Sequence, residues 1–122
     1  VGDFKGLSSI IACESKTRYN TPMPMVIKTS SVFDVWLENL ANPTALSAIA
    51  KRLDMLRAHG HFGDHKHIMG QIFEMRIHTG AGYHLYVAKK GNTLAILLCG
   101  GDKSTQKKDI QKAQEILKEF AW

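Results

Sequence analysis

Two short runs hold the residues best suited to chemistry. In Gln71–His78, alternate positions separate Phe73, Met75 and Ile77 from Glu74, Arg76 and His78. In Tyr83–Lys89, Leu85 and Val87 alternate with His84 and Tyr86. Successive side chains of a strand point to opposite faces, so each run has one apolar and one polar side. If the apolar sets face a helical layer, the open face shows Arg76, His78, His84 and Tyr86. Lys66, or the pair His65 and His67, joins from the preceding run, and Lys103 stands at the rim. Cationic and aromatic groups on one face suit an RNA strand, because arginine and lysine meet phosphates while rings stack on bases. RNA also brings its own nucleophile, the 2′-hydroxyl. Cleavage then requires removal of that proton, stabilisation of the charged phosphorus transition state and protonation of the leaving oxygen. Histidine, lysine and arginine can divide these tasks, and no metal or other cofactor is expected. The plainer reading is a face that is polar because water touches it. Glu74 and Arg76 would then be a surface ion pair, and the tyrosines ordinary strand residues.

Two other groups attract less chemistry. The segment His59–His67, HGHFGDHKH, holds four histidines and Asp64. Histidine and carboxylate can bind zinc, but the spacing fits no standard site, and the glycines point to a mobile loop touching RNA or a partner. Cys13 and Cys99 are far apart and lie in no CxxC or zinc-finger spacing, which predicts two reduced, partly buried thiols.

The elements that must position these residues follow from periodicity. Met25–Thr29 reads as a short strand. Ser31 with Asp34 three residues on resembles a capping box, and Phe33, Trp36, Leu37 and Leu40 follow at helical spacing. Asn42-Pro43 ends that helix and starts another, since proline is tolerated at the first helical position. Leu46, Ile49, Ala50, Leu53 and Leu56 form its apolar stripe. Four strand candidates follow, His65–Met69, Gln71–His78, Tyr83–Lys89 and Thr93–Cys99, joined by short glycine-bearing turns that predict antiparallel hairpins. Gly100-Gly101-Asp102 should break the sheet. A last helix over Ser104–Glu119 turns Ile110, Ala113, Leu117 and Phe120 inward. The predicted order is an N-terminal strand, a helix hairpin, a four-stranded antiparallel meander and a C-terminal helix. This is an α+β domain with its helices on one sheet face.

Length and charge set the frame. The 122 residues suit one domain. Residues 25–122 form that domain, and residues 1–24, closing in Thr21-Pro22-Met23-Pro24, read as an N-terminal extension. Within it, Leu7–Ala12 is a candidate edge strand or contact with a neighbouring chain. The net charge of +5 favours polyanions such as nucleic acid, ribosomes or an acidic partner. No apolar run is long enough to span a membrane and no signal-peptide pattern opens the chain, so a cytoplasmic location is expected.

Several segments carry a resemblance. Phe62-Gly63-Asp64 followed by Lys66, then Glu74-Met75-Arg76-Ile77-His78, Gly82-Tyr83 and Tyr86, look like the addiction-module killer family of HigB-like proteins in the RelE/ParE toxin superfamily. Leu97-Leu98-Cys99-Gly100-Gly101-Asp102-Lys103-Ser104-Thr105-Gln106 is the strongest match, and the resemblance runs from Met25 to about Phe120. It implies a RelE-like fold and the toxin of a type II toxin–antitoxin system, an mRNA interferase that inhibits translation. Arg76 and Lys103 would stabilise phosphate charge, Lys66 or a neighbouring histidine would act as base, and His84 as acid. His65, His67, His78 and Tyr86 would contact RNA. The family usually reads Gly-Tyr-Arg where this chain has Gly82-Tyr83-His84, and the last helix here holds no tyrosine, leaving base stacking to Tyr86. The implied partners are mRNA, the ribosome and a helix-turn-helix antitoxin. Two alternatives stay open: a ParE-like toxin that binds gyrase and cleaves nothing, and a non-toxic binding module whose extension blocks the site or makes a homodimer.

Overall fold

The alternation and the helical stripes resolve into one sheet and three helices in the computed structural model, which describes residues 24–91 and 93–120. The order is β1 (Val26–Thr29), α1 (Ser31–Glu38), α2 (Pro43–His59), β2 (His65–Met69), β3 (Ile72–Ile77), β4 (Tyr83–Lys90), β5 (Leu94–Asp102), a 3-10 turn (Lys103–Thr105) and α3 (Gln106–Glu119). The sheet has five strands in the order β1-β5-β4-β3-β2. β1 runs parallel to β5, and the other pairs are antiparallel. The domain is therefore α+β with a mixed sheet. The Leu7–Ala12 strand candidate, Cys13 and the rest of the extension up to Met23 lie outside the described residues, as does Asn92 of the β4–β5 turn.

The helix starts rest on side-chain caps. Asn42 accepts from the backbone N–H groups of Thr44 and Ala45, with Pro43 in the first helical position. For α1 the capping residue is Ser30, not Ser31. Its hydroxyl accepts from Phe33 N at 3.0 Å and donates to Leu98 O at 2.6 Å. The extra bond to β5 decides between two adjacent serines, because it ties the helix start to the sheet as well as satisfying a free N–H.

The expectation that all helices share one face is wrong. Phe33, Leu37, Ile49, Leu53 and Leu56 of α1 and α2 pack on Met75, Ile77, Leu85, Val87, Ala95 and Leu97. On the opposite face Ala113, with Ile110, Ile116, Leu117 and Phe120, covers Ile72, Tyr86, Ala88, Ile96, Leu98 and Cys99. The signal was in the strands: Leu85–Ala88 and Ala95–Cys99 are apolar at nearly every position, the pattern of strands buried on both sides.

Nor does the glycine pair break the sheet, since β5 continues through it to Asp102. Its role is close approach. A Cβ at Gly100 would lie 2.5 Å from the Trp36 ring, and one at Gly101 would lie 1.9 Å from the Asp109 carboxyl. Trp36 is itself held between Phe33 and Tyr83, with ring centroids 5.8 and 6.3 Å away. Gly100→Ala is therefore expected to cost about 1–3 kcal/mol through overpacking, read as an earlier midpoint in urea. An unchanged midpoint would show that the indole moves aside freely.

Candidate nucleic-acid interface

The face under α3 is only partly covered by that helix, and its polar residues form rows across the sheet. Arg76 pairs in register with His84, and His84 with Gly101. One step along, Lys66 pairs with Glu74, Glu74 with Tyr86, and Tyr86 with Cys99. Residues directly opposite each other share a face, so Lys66, Glu74, Arg76, His84 and Tyr86 lie on one side. Lys103 starts just past β5, exposed, and its Cε lies 3.9 Å from where a Gly82 Cβ would be.

Glu74, 2% exposed, is the hub of this arrangement. Its Oε1 is 3.4 Å from Arg76 Nε. Its Oε2 accepts from Gln106 Nε2 at 2.7 Å and from the Tyr86 hydroxyl at 3.4 Å. His84 Nδ1 stands 2.8 Å from the same oxygen, in a close electrostatic contact that is not an aligned hydrogen bond. α3 thus supplies the amide, and three strand residues converge on one carboxyl. Each convergent group offsets the desolvation of a buried acid. His84 is stacked on Tyr86 with centroids 6.4 Å apart and remains 11% exposed at its side chain. A histidine pinned on one side with an exposed edge suits proton transfer.

A second carboxylate sits outside. Asp64, just before β2, contacts His78 Nε2 and lies 3.9 Å from Arg76 Nη1. The hydrogen bond from His78, with the Arg76 charge behind it, holds the Asp64 carboxyl below the usual carboxylate range. The loop bearing Asp64 is clamped by Arg52 of α2, which donates to the carbonyls of Arg76, Phe62 and Asp64. Gly63 lies against this guanidinium, where a Cβ would come within 2.8 Å of Nε, and its φ is +68°. Partial burial lowers the Arg52 pKa from its ordinary value.

The structure brings Lys66, Arg76 and His84 to one face, places Lys103 just past the end of β5 beside Gly82, and sets His78 beside Arg76 through Asp64. It does not bring His65 or His67 there. They pair with Met75 and Phe73 and project to the opposite face. Tyr86 is on the expected face but 0% exposed, so it cannot stack on a base. Burial first, then the Glu74 and Asp109 charges, raise its pKa above the ordinary tyrosine range. The difference has the same origin as the helix placement: α3 covers the part of the sheet face on which Tyr86 lies. Glu74, Gln106 and Arg52 join the site only in the folded structure. Glu74 has the strand parity of Arg76, which was the available signal. Arg52 stands within the α2 stripe, between Ile49 and Leu56 at helical spacing. Gln106 had no signal beyond following the Gly100-Gly101 segment.

Cys99 is a free, buried thiol donating to Asp109 O at 3.3 Å. Burial, reinforced by Asp109, pushes it up to about 12. Among the described residues no three His, Cys, Asp or Glu side chains are grouped as metal ligands, and no helix is long and apolar enough to cross a membrane.

Fold and site define an α+β domain presenting a basic row over a buried carboxyl hub. The chain belongs to the Gp49-like family of phage-derived proteins (DUF891), matching it over residues 36–120. An uncharacterized protein of Haemophilus influenzae is 46% identical over 98 residues, 80% of this chain and 98% of that protein. No solved structure matches. The match to the Gp49-like family corrects the resemblance to the RelE/ParE superfamily and its HigB-like members. The segments that carried that resemblance all fall within the matched range, and their most distinctive feature, Gly100-Gly101, answers a packing demand from Trp36 and Asp109. A motif required by packing reports a fold more than an activity.

Proposed function

We propose that this protein is an RNA-cleaving toxin of a toxin–antitoxin pair, acting on mRNA and so inhibiting translation. The observation that carries the reading is the Arg76–His84–Gly101 row seated on Glu74, with Lys103 just past the end of β5. Arg76 and Lys103 stabilise the negative charge that builds on the phosphate. Lys66 or His78, the latter held by Asp64, takes the 2′-hydroxyl proton. The 2′-oxygen attacks phosphorus and the bond to the 5′-oxygen breaks. His84, fixed in place by Glu74 and Tyr86, gives that leaving oxygen a proton. The partner that neutralises the protein is a helix-turn-helix antitoxin that covers the basic row.

Induced expression in bacteria tests this reading, comparing the unaltered chain with a variant carrying Arg76→Ala and Lys103→Ala. Growth arrest with new mRNA ends, both absent in the variant, is the expected result. Arrest with intact mRNA would overturn the nuclease assignment, and folded protein without arrest would overturn the toxin assignment.

A further inference from the structure

The sheet face opposite the Arg76 row carries a second cluster at its β2 edge. His65, His67, Phe73 and Phe62 group there, with the Phe73 centroid 5.9 Å from His65, 5.0 Å from His67 and 5.9 Å from Phe62. His65 also lies 5.2 Å from Phe62. The Lys89 ammonium stands over both phenyl rings, 5.5 Å from Phe62 and 5.9 Å from Phe73. Phe62 is buried and forms the floor, while His65 and His67 are exposed.

We infer that this cluster is a second contact surface for single-stranded RNA, which reaches it by passing from the Arg76 row over the β2 edge. The inference rests on RNA being the substrate of that row. Three features point to it. First, both imidazoles are held in place: His65 Nδ1 lies 2.8 Å from Gly63 O, and His67 Nε2 lies 2.9 Å from Gly70 O. Carbonyl oxygens only accept, so each of these ring nitrogens carries a proton and donates. Rings oriented beforehand lose little freedom when a base stacks on them. Second, the patch pairs flat rings with a lysine charge, the combination that holds a polyanion with unpaired bases. Third, β2 is the outermost strand, and its consecutive residues alternate faces. Lys66 points to the cleavage face, while His65 and His67 on either side point to the cluster. An RNA strand leaving Lys66 therefore meets these rings on rounding the edge.

The test is binding measured by fluorescence anisotropy, using a long single-stranded RNA with 2′-O-methyl sugars, which lacks the nucleophile and stays intact. A trinucleotide of the same chemistry is compared with it. His65→Ala combined with His67→Ala is expected to weaken the long RNA about tenfold while leaving the trinucleotide unchanged. His65→Phe combined with His67→Phe, which keeps flat rings, is expected to stay within about twofold of the unaltered chain. Equal affinity of the double-alanine variant and the unaltered chain for long RNA would overturn the inference. So would a parallel loss on the trinucleotide. In both cases loss of binding in Arg76→Ala with Lys103→Ala would leave the functional reading standing. Absence of RNA binding by the unaltered chain would overturn both.

Discussion

Glu74→Ala should destabilise the protein by about 3–5 kcal/mol, the cost typical of removing one member of a buried ionic or hydrogen-bonded set. The substitution leaves Gln106 Nε2, the Tyr86 hydroxyl and His84 Nδ1 without the oxygen they now share. Tyr86 is fully buried and cannot turn to water. Gln106→Ala removes a single donor from a partly buried site, and its expected cost is about 1 kcal/mol. Domains of this size have stabilities of about 5–15 kcal/mol, so the first change should remove a large share of the total and the second a small one. Urea denaturation of both variants checks this. Similar, small losses for the two would mean that Glu74 is not the centre of the network.

The same residue shows what the sequence disclosed and what it withheld. Period-two alternation placed Arg76, His84 and Glu74 on one face, and their register confirms the shared side. Strand alternation depends only on the backbone, so it survives any tertiary arrangement. What covers a face does not. Glu74 reads as a surface residue until α3 brings Gln106 over it from 32 residues away, and Tyr86 reads as a stacking platform until the same helix buries it. Arg52 illustrates the third case. A guanidinium in an apolar stripe signals an unusual role, but its three carbonyl partners belong to Phe62, Asp64 and Arg76, which only the folded chain gathers. Helix caps are nearly local features, whereas the Gly100-Gly101 pair, which reads as a sheet break, answers to Trp36 and Asp109 on other elements. The one capping error, Ser31 for Ser30, came from a bond to Leu98 on a distant strand.

If the proposed RNA-cleaving reading holds, purified His84→Ala should cleave RNA about 10²–10⁴-fold more slowly than the unaltered chain, the range that a positioned proton donor contributes. Its KM should change little, because the phosphate contacts proposed for Arg76 and Lys103 would remain. His84 is placed for this work by two constraints of the fold: the Glu74 carboxyl beside Nδ1 and the Tyr86 ring stacked at 6.4 Å. Together they hold a ring that is largely buried, its side chain 11% exposed. A slow variant alone would not separate the donor from a residue that merely shapes the site. The leaving group separates them. Replacing the 5′-bridging oxygen at the scissile bond by sulphur gives a thiolate that departs without a proton. If His84 protonates the leaving oxygen, His84→Ala should cleave the sulphur substrate at nearly the rate of the unaltered chain. Arg76→Ala should stay slow on both substrates, because charge on the phosphate builds up whichever atom departs. Failure of the sulphur substrate to rescue His84→Ala would move the acid to another residue. Rescue of Arg76→Ala would exchange the roles assigned to the two.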